Sequence, residues 1–173
     1  MSGEADILLW VHRWQHPWLD VFFVVSHELG RTPVQLALAG AVLLWFTARR
    51  EWSRATFWLG LGCSTFLFVD AFKRLALRPR PQLWPRIIEQ GGASFPSGHA
   101  AISAALYTLI AFEIARHRPR WAPWCYAAAV AGSLWLGLGR LYLGVHWPTD
   151  VLAGWLLGAA LAWLGVRALR RCG

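Results

Sequence analysis

Residues 55–81 read ATFWLGLGCSTFLFVDAFKRLALRPRP. From Ala55 to Phe72 the only charge is Asp70; Lys73, Arg74, Arg78 and Arg80 follow, the last two each directly ahead of a proline. An apolar run of this length approaches the ~20 residues that carry a helix across a bilayer. The prolines end it on the basic side, since they lack an N–H and restrict the residue before them. Working outward, Val34 to Ala48, Ala100 to Phe112, Trp121 to Gly139 and Val151 to Ala168 repeat the pattern of apolar runs bounded by charge. The two shorter runs reach spanning length with their flanking residues, whose ends snorkel or meet a thinned bilayer.

The 173-residue chain is 57% hydrophobic and holds 13 Trp. A soluble domain of this length cannot hide so much apolar surface, whereas a membrane protein presents it to lipid. The fold class is therefore all-α, a polytopic membrane helix bundle of about five or six transmembrane helices, in a single domain over 1–173. No internal repeat or low-complexity segment breaks it. Residues 5–29 are harder to place: Val21 to Val25 is apolar, but Asp6, His12, Arg13, His16 and Asp20 interrupt it. They read as an amphipathic interfacial helix or as a short tilted first span, the second being preferred.

The formal net charge of +8 reads as loop arginines plus an anionic ligand, and nucleic acid is not expected as a partner. Arg49, Arg50 and Arg54, then Arg116, Arg118 and Arg120, then Arg167, Arg170 and Arg171 fall on one side if spans alternate. By the positive-inside rule that side is cytoplasmic. The opposite side carries Lys73, Arg74, Arg78, Arg80 and Arg86, which are assigned to a site. Cys63, Cys125 and Cys172 have no paired spacing for a metal or a disulfide framework. The opening residues lack the positive region of a cleaved signal.

Three segments concentrate polar residues that a lipid-facing helix does not tolerate: 73–81, 94–99 and 139–150. Alternating spans bring all three to one membrane face. Phosphate chemistry needs cations, backbone donors, a nucleophile and a proton donor. Lys73, Arg80 and Arg140 can neutralise a tetrahedral oxyanion, the guanidinium forks in bidentate fashion. Ser97 and Gly98 stand where a helix begins, where free N–H groups and the dipole favour an anion, and glycine lets an oxygen approach the main chain. His146 and Asp150 are four apart, with Pro148 suited to a first helical turn. At that spacing the carboxylate fixes the tautomer of the imidazole, leaving the other nitrogen with its lone pair. That is a nucleophile with its orienter, and it leaves His99 as general acid.

Lys73 with Arg80-Pro81, Pro96 to His99, and Arg140 with His146 and Asp150 together resemble the three-part signature of the type 2 phosphatidic acid phosphatase superfamily. Each piece is weak alone, and their joint occurrence in order is specific. The resemblance implies a helical membrane fold with a metal-free site, no cofactor, and a phosphohistidine intermediate. It makes His146 the nucleophile, Asp150 its orienter, His99 the acid, and Lys73, Arg80, Ser97, Gly98 and Arg140 the phosphate cradle. Members usually carry Ser immediately before the third-segment arginine; here the residue is Gly139.

The implied protein is a lipid phosphate or diphosphate phosphatase of the bacterial inner membrane with its site facing the periplasm. Membrane lipids surround it, and the sequence does not speak to its oligomeric state. Undecaprenyl diphosphate ranks first among substrates, then phosphatidic acid or phosphatidylglycerophosphate, then phosphorylated lipid A. Two other classes compete: a non-catalytic membrane protein that keeps an anion pocket, and a vanadate-dependent haloperoxidase. Blander readings stand beside the site residues. Lys73, Arg74 and Arg78 can be snorkelling cations, and Asp70 can pair locally with Lys73 or Arg74. His12, His16, His27 and His117 read as interfacial, and the tryptophans as an aromatic belt.

Overall fold

The computed structural model describes residues 2–171; Cys172 lies outside them, as do the side chains of Arg170 and Arg171. The described residues form helices and no strand: α1 (Ser2–His12), α2 (Pro17–Leu29), α3 (Thr32–Ala48), α4 (Trp52–Ala76), α5 (Gly98–His117), α6 (Ala122–Tyr142) and α7 (Pro148–Arg171), with a 3-10 turn at Pro119–Trp121. Each apolar run read from the sequence lies on a helix. The all-α membrane bundle is the fold. Large apolar side chains face outward, among them Leu67, Leu75, Trp124, Leu156 and Leu164. Such surface would be anomalous in water, and lipid is its natural solvent.

By length and apolar character, α4, α5 and Pro148–Leu169 of α7 qualify as spans, and α2 with α3 qualify together as one span bent by 53°. That makes three spans, or four with the bent pair, against the five or six read from the sequence. The 21 residues of α6 reach about 30 Å at 1.5 Å per residue. Its Pro123, Tyr126, Arg140 and glycines dilute its apolar character. Residues 5–29 are not one tilted span. They form two helices of 11 and 13 residues, parted at 13–16 with Pro17 opening the second, and each is too short to cross alone.

α1 lies over the end of the bundle that carries the polar segments. Leu8 is fully buried, Glu4 Oε1 accepts from the Thr149 backbone at 3.1 Å and from its hydroxyl at 2.7 Å, and His12 stacks on Trp84 at 4.1 Å. α2 packs against the last turns of α6. Tyr142 donates to Asp20 at 2.6 Å, and the Phe23 ring lies 4.5 Å from that of Tyr142.

α5 is the central helix and packs chiefly against α7 and α6. Its buried face is mostly Ala and Ser: Ala100, Ala101, Ser103, Ala104 and Ala105. Facing it on α7 are Gly154 and Gly158, four apart and therefore on one face. A Cβ at 154 would stand 2.6 Å from the Ser97 carbonyl oxygen, and one at 158 would stand 2.2 Å from that of Ala101. In lipid, helices associate through such close contacts because the tails are as apolar as the helix surfaces and leave no hydrophobic drive to bring them together.

Gly158→Ala should therefore destabilise the bundle by about 1–3 kcal/mol through overpacking against rigid backbone. Gly60→Ala, whose Cβ would meet nothing within 4 Å, should be neutral or stabilising by up to ~1 kcal/mol. Thermal unfolding of the two variants in detergent distinguishes them, and equal midpoints would contradict the packing account.

Candidate active site

α4 ends at Leu77 with a left-handed φ of 44°, and Pro79 and Pro81 keep the following backbone out of a helix. The loop to Ser97 is pinned through its carbonyls. Ser94 N donates to Arg78 O at 2.8 Å, the Ser94 hydroxyl reaches Arg78 O and Pro79 O, and the Trp147 indole donates to Pro79 O at 2.9 Å. The first and third polar segments are thereby stitched together. The second joins them where Ser97 N donates to Asp150 O at 2.9 Å, directly above the Gly154 contact.

His146 sits in the short connection before α7, 2% exposed. Its Nε2 lies 3.0 Å from a guanidinium nitrogen of Arg80, and its Nδ1 lies 3.4 Å from Asp150 Oδ2. A guanidinium only donates, so Nε2 presents its lone pair and Nδ1 carries the proton towards the carboxylate. Burial pulls the His146 pKa from 6.5 down to about 3; the Asp150 hydrogen bond opposes this, and the charges of Arg80, Arg140 and Lys73 add to the fall. The ring is neutral at physiological pH.

Asp150 opens α7, where a carboxylate is favoured by the helix dipole. Its Oδ2 accepts from Trp147 N at 2.9 Å. Its Oδ1 accepts from Arg78 at 2.7 Å, and Arg78 also bonds Thr149 and Glu4. Arg78 is thus a partner of the buried carboxylate and not a snorkelling cation. The sequence placed it in the first polar segment without giving it a role. Asp70, by contrast, pairs with Arg74 at 2.7 Å, as the local reading held.

Arg80 is spread across the loop, donating to the carbonyls of Gly91, Gly92, Ala93 and Val145 at 2.8–3.2 Å. Burial and Arg86 lower its pKa to about 10, with Asp150 opposing, so it stays charged. Lys73 donates to Ala93 O at 2.7 Å. Arg140, fully buried, meets His27 Nδ1 at 2.7 Å and Gln90 Oε1 at 3.1 Å. His99 Nε2 lies 3.3 Å from the His27 carbonyl, and the two rings stack at 5.5 Å. His27, read as interfacial, therefore joins Arg140 to His99; it lies on another helix with no motif around it.

Lys73, Arg80, Gln90, Gly98, His99 and His146 line a cavity of about 210 Å³. Ser97 and Arg140 stand behind its wall, Ser97 next to Gly98 and Arg140 through Gln90. Two buried atoms there, Ser97 Oγ and Arg140 Nε, have no hydrogen-bond partner among the described residues. All eight residues singled out in the sequence thus converge at one end of the bundle. Among the described residues no group of three or more His, Cys, Asp and Glu is arranged to hold a metal ion.

Gly139 has its own explanation. A Cβ there would stand 2.2 Å from Ser26 Oγ and 3.2 Å from the Phe23 ring. Ser26 is fully buried and donates to Phe23 O at 2.7 Å. The hydroxyl of α2 occupies the space that a side chain at 139 would need.

A neutral buried imidazole paired with a carboxylate, a second imidazole and several cations, at one end of a membrane bundle, suit a membrane phosphatase. The model of the PAP2 superfamily matches residues 56–173, and the chain belongs to that superfamily. It is 31% identical to phosphatidylglycerophosphatase B of Bacillus subtilis over 156 residues, 87% of this chain and 75% of that one. The crystal structure of a transmembrane PAP2 type phosphatidylglycerolphosphate phosphatase from Bacillus subtilis superposes with a TM-score of 0.88, at 29% identity, over 98% of this chain and 85% of that one. An undecaprenyl-diphosphatase of Sulfolobus acidocaldarius is 39% identical over 75 residues, 43% of this chain and 32% of that one.

The folded pKa of His146 lies below its unfolded value, so the native state binds fewer protons. Its contribution to stability is fully present above pH 6.5 and is lost as pH falls towards about 3. Between pH 7 and 4.5 this amounts to about 2–3 kcal/mol. His146→Gln should flatten the unfolding midpoint against pH over that window; an unchanged slope would show the ring is not buried neutral. In a double-mutant cycle, Gly139→Ala should be about 1 kcal/mol more favourable in a Ser26→Ala background than in the wild type. An additive result would remove Ser26 from the account.

Proposed function

We propose that the chain hydrolyses a lipid phosphate by a phosphohistidine route, with the site facing the outer side of the membrane. His146 Nε2 attacks phosphorus, and the bond to the leaving oxygen breaks as His99 gives that oxygen a proton. Water then attacks the phosphorus of phospho-His146, His99 takes the water's proton, and inorganic phosphate leaves with His146 neutral again. Asp150 holds the tautomer throughout. Lys73, Arg80 and Arg140 carry the charge on the phosphoryl oxygens, and Ser97 Oγ with the amides opening α5 supply further donors. The observation that carries this reading is the Nε2 lone pair of His146, presented to Arg80 at 3.0 Å with Asp150 behind it.

A lipid substrate is supported by the surface beside the cavity. Thr32, Phe66 and Ile102 line both the polar cavity and an apolar one that continues to Leu36, Leu61 and Leu106. A further groove of about 460 Å³, lined by Leu36, Leu43, Leu59 and Phe66 among others, runs between α3 and α4. An apolar tail lies there with its phosphate in the polar cavity. Phosphatidylglycerophosphate takes first place as substrate, because the phosphatidylglycerophosphatase relative is similar over most of both chains. Undecaprenyl diphosphate is the second reading, favoured by the shorter match to the undecaprenyl-diphosphatase. The arginine-rich ends of the helices would then lie in the cytoplasm, as they would in a bacterial inner membrane with the site facing the periplasm.

Phosphate release from vesicles holding each lipid in turn ranks the substrates. His146→Ala should lower turnover at least ~10³-fold, quenched wild type should carry an acid-labile phosphoryl group on histidine, and EDTA should leave the rate unchanged. Retained activity in His146→Ala, or activity lost to EDTA and restored by magnesium, would replace the mechanism. Binding without turnover of any lipid would make the chain a non-catalytic anion binder.

A further inference from the structure

At the end of the bundle opposite the catalytic cavity, the last turns of α3 and α5 and the first turns of α4 enclose a second cavity of about 660 Å³. Its walls include Trp45, Phe46 and Trp58, and its rim carries Arg49, His117 and Arg118. Two polar atoms on residues lining it are buried with no hydrogen-bond partner among the described residues, Glu113 Oε1 and Trp58 Nε1. Both residues are 5% exposed. Glu113 Oε2 is held by Arg54 at 2.8 Å and Arg116 at 3.5 Å. The carboxylate charge is thus compensated, while its other oxygen lacks a donor. An acceptor and a donor left open on two residues that line one cavity can both be met by a ligand there that supplies the two partners.

The depths of these groups match the layers of a phospholipid. Arg49 and Arg118 stand at the ends of α3 and α5, at the level of a phosphate. Glu113 is one turn below His117, and Trp58 lies about 9 Å along α4 from Trp52 at 1.5 Å per residue. Leu44 and Ile114 are exposed alongside. Arg49 shares its charge with Glu51 at 3.2 Å, which leaves the rim net positive through Arg118.

We propose that this cavity binds an anionic glycerophospholipid of the arginine-side leaflet whose phosphodiester headgroup ends in a hydroxyl. The phosphate lies between Arg49 and Arg118, the hydroxyl donates to Glu113 Oε1, and an ester carbonyl accepts from Trp58 Nε1. A choline headgroup has no donor for Glu113 and keeps a cation beside the arginines. The site lies at the other membrane face and meets the apolar groove of the substrate tail only at Trp58, which lines both.

The test is native mass spectrometry of the purified chain in micelles doped with phosphatidylglycerol, phosphatidylethanolamine or phosphatidylcholine, with unfolding midpoints measured in parallel. Phosphatidylglycerol should be retained at least about tenfold over the other two. Arg49→Ala with Arg118→Ala should lower that retention about tenfold while basal phosphate release stays unchanged. Trp58→Phe, which keeps a ring and removes the N–H, should lower it several-fold. His146→Ala should retain the lipid as the wild type does. Equal retention of the three lipids, retention unaffected by the arginine pair, loss of the lipid in His146→Ala, or the same midpoint rise with inorganic phosphate alone would each overturn the proposal.

Discussion

The contact of α5 with α7 at Gly154 and Gly158 holds the rest of the site in place. Only at glycine can a helix come within 2.6 Å of where a Cβ would stand against a neighbouring carbonyl, and here two such places lie one turn apart. That approach lets Ser97 N reach Asp150 O, which fuses the start of one helix to the start of another. Both helices then offer their N-termini to the same volume, with the dipoles and free amides that anions favour. The first polar segment, carried by α4, is drawn in through Arg78 on Asp150 and Arg80 on His146.

Burial explains why so many cations gather in one place without an equal number of acids. Asp150 is the one fully buried carboxylate in the site, and it is committed to Arg78, Trp147 N and His146. Arg80, Lys73 and Arg140 spend their donors on carbonyls, on a glutamine and on histidine nitrogens, all neutral acceptors. Their charges therefore add to the burial that keeps His146 neutral, and they suit the pocket to a multiply charged anion. The same arrangement is costly to fold, and the membrane bundle around it supplies the offsetting contacts.

The two ends of the molecule divide their labour. At one end, polar loops are tied by carbonyls into a small cavity that meets an apolar groove. At the other, arginines ring an aromatic pocket with one compensated carboxylate. A lipid phosphatase meets lipid on both faces, and the different chemistry at each end suits a phosphoryl group at the first and a phosphodiester at the second.

Much of this was readable along the chain. Apolar runs between charges identify a membrane bundle because the bilayer demands length and hydrophobicity, and both are local properties. The spacing of Lys73, Arg80, Ser97, His99, Arg140, His146 and Asp150 carries the candidate site, because helix starts and i, i+4 pairs are local too. What depended on the third dimension was anything settled between distant segments. Arg78 could be grouped with a site but given no role there until Asp150 was seen against it. His27, 113 residues from Arg140, carried no sign of its place, and Gly139 looked like a missing hydroxyl until Ser26 was found in that space. Residues 5–29 broke in two where polar residues and Pro17 outweighed a weak apolar signal. Pattern along a chain reports what each residue prefers by itself, whereas a partner across the bundle is chosen by packing, and packing is a property of the whole.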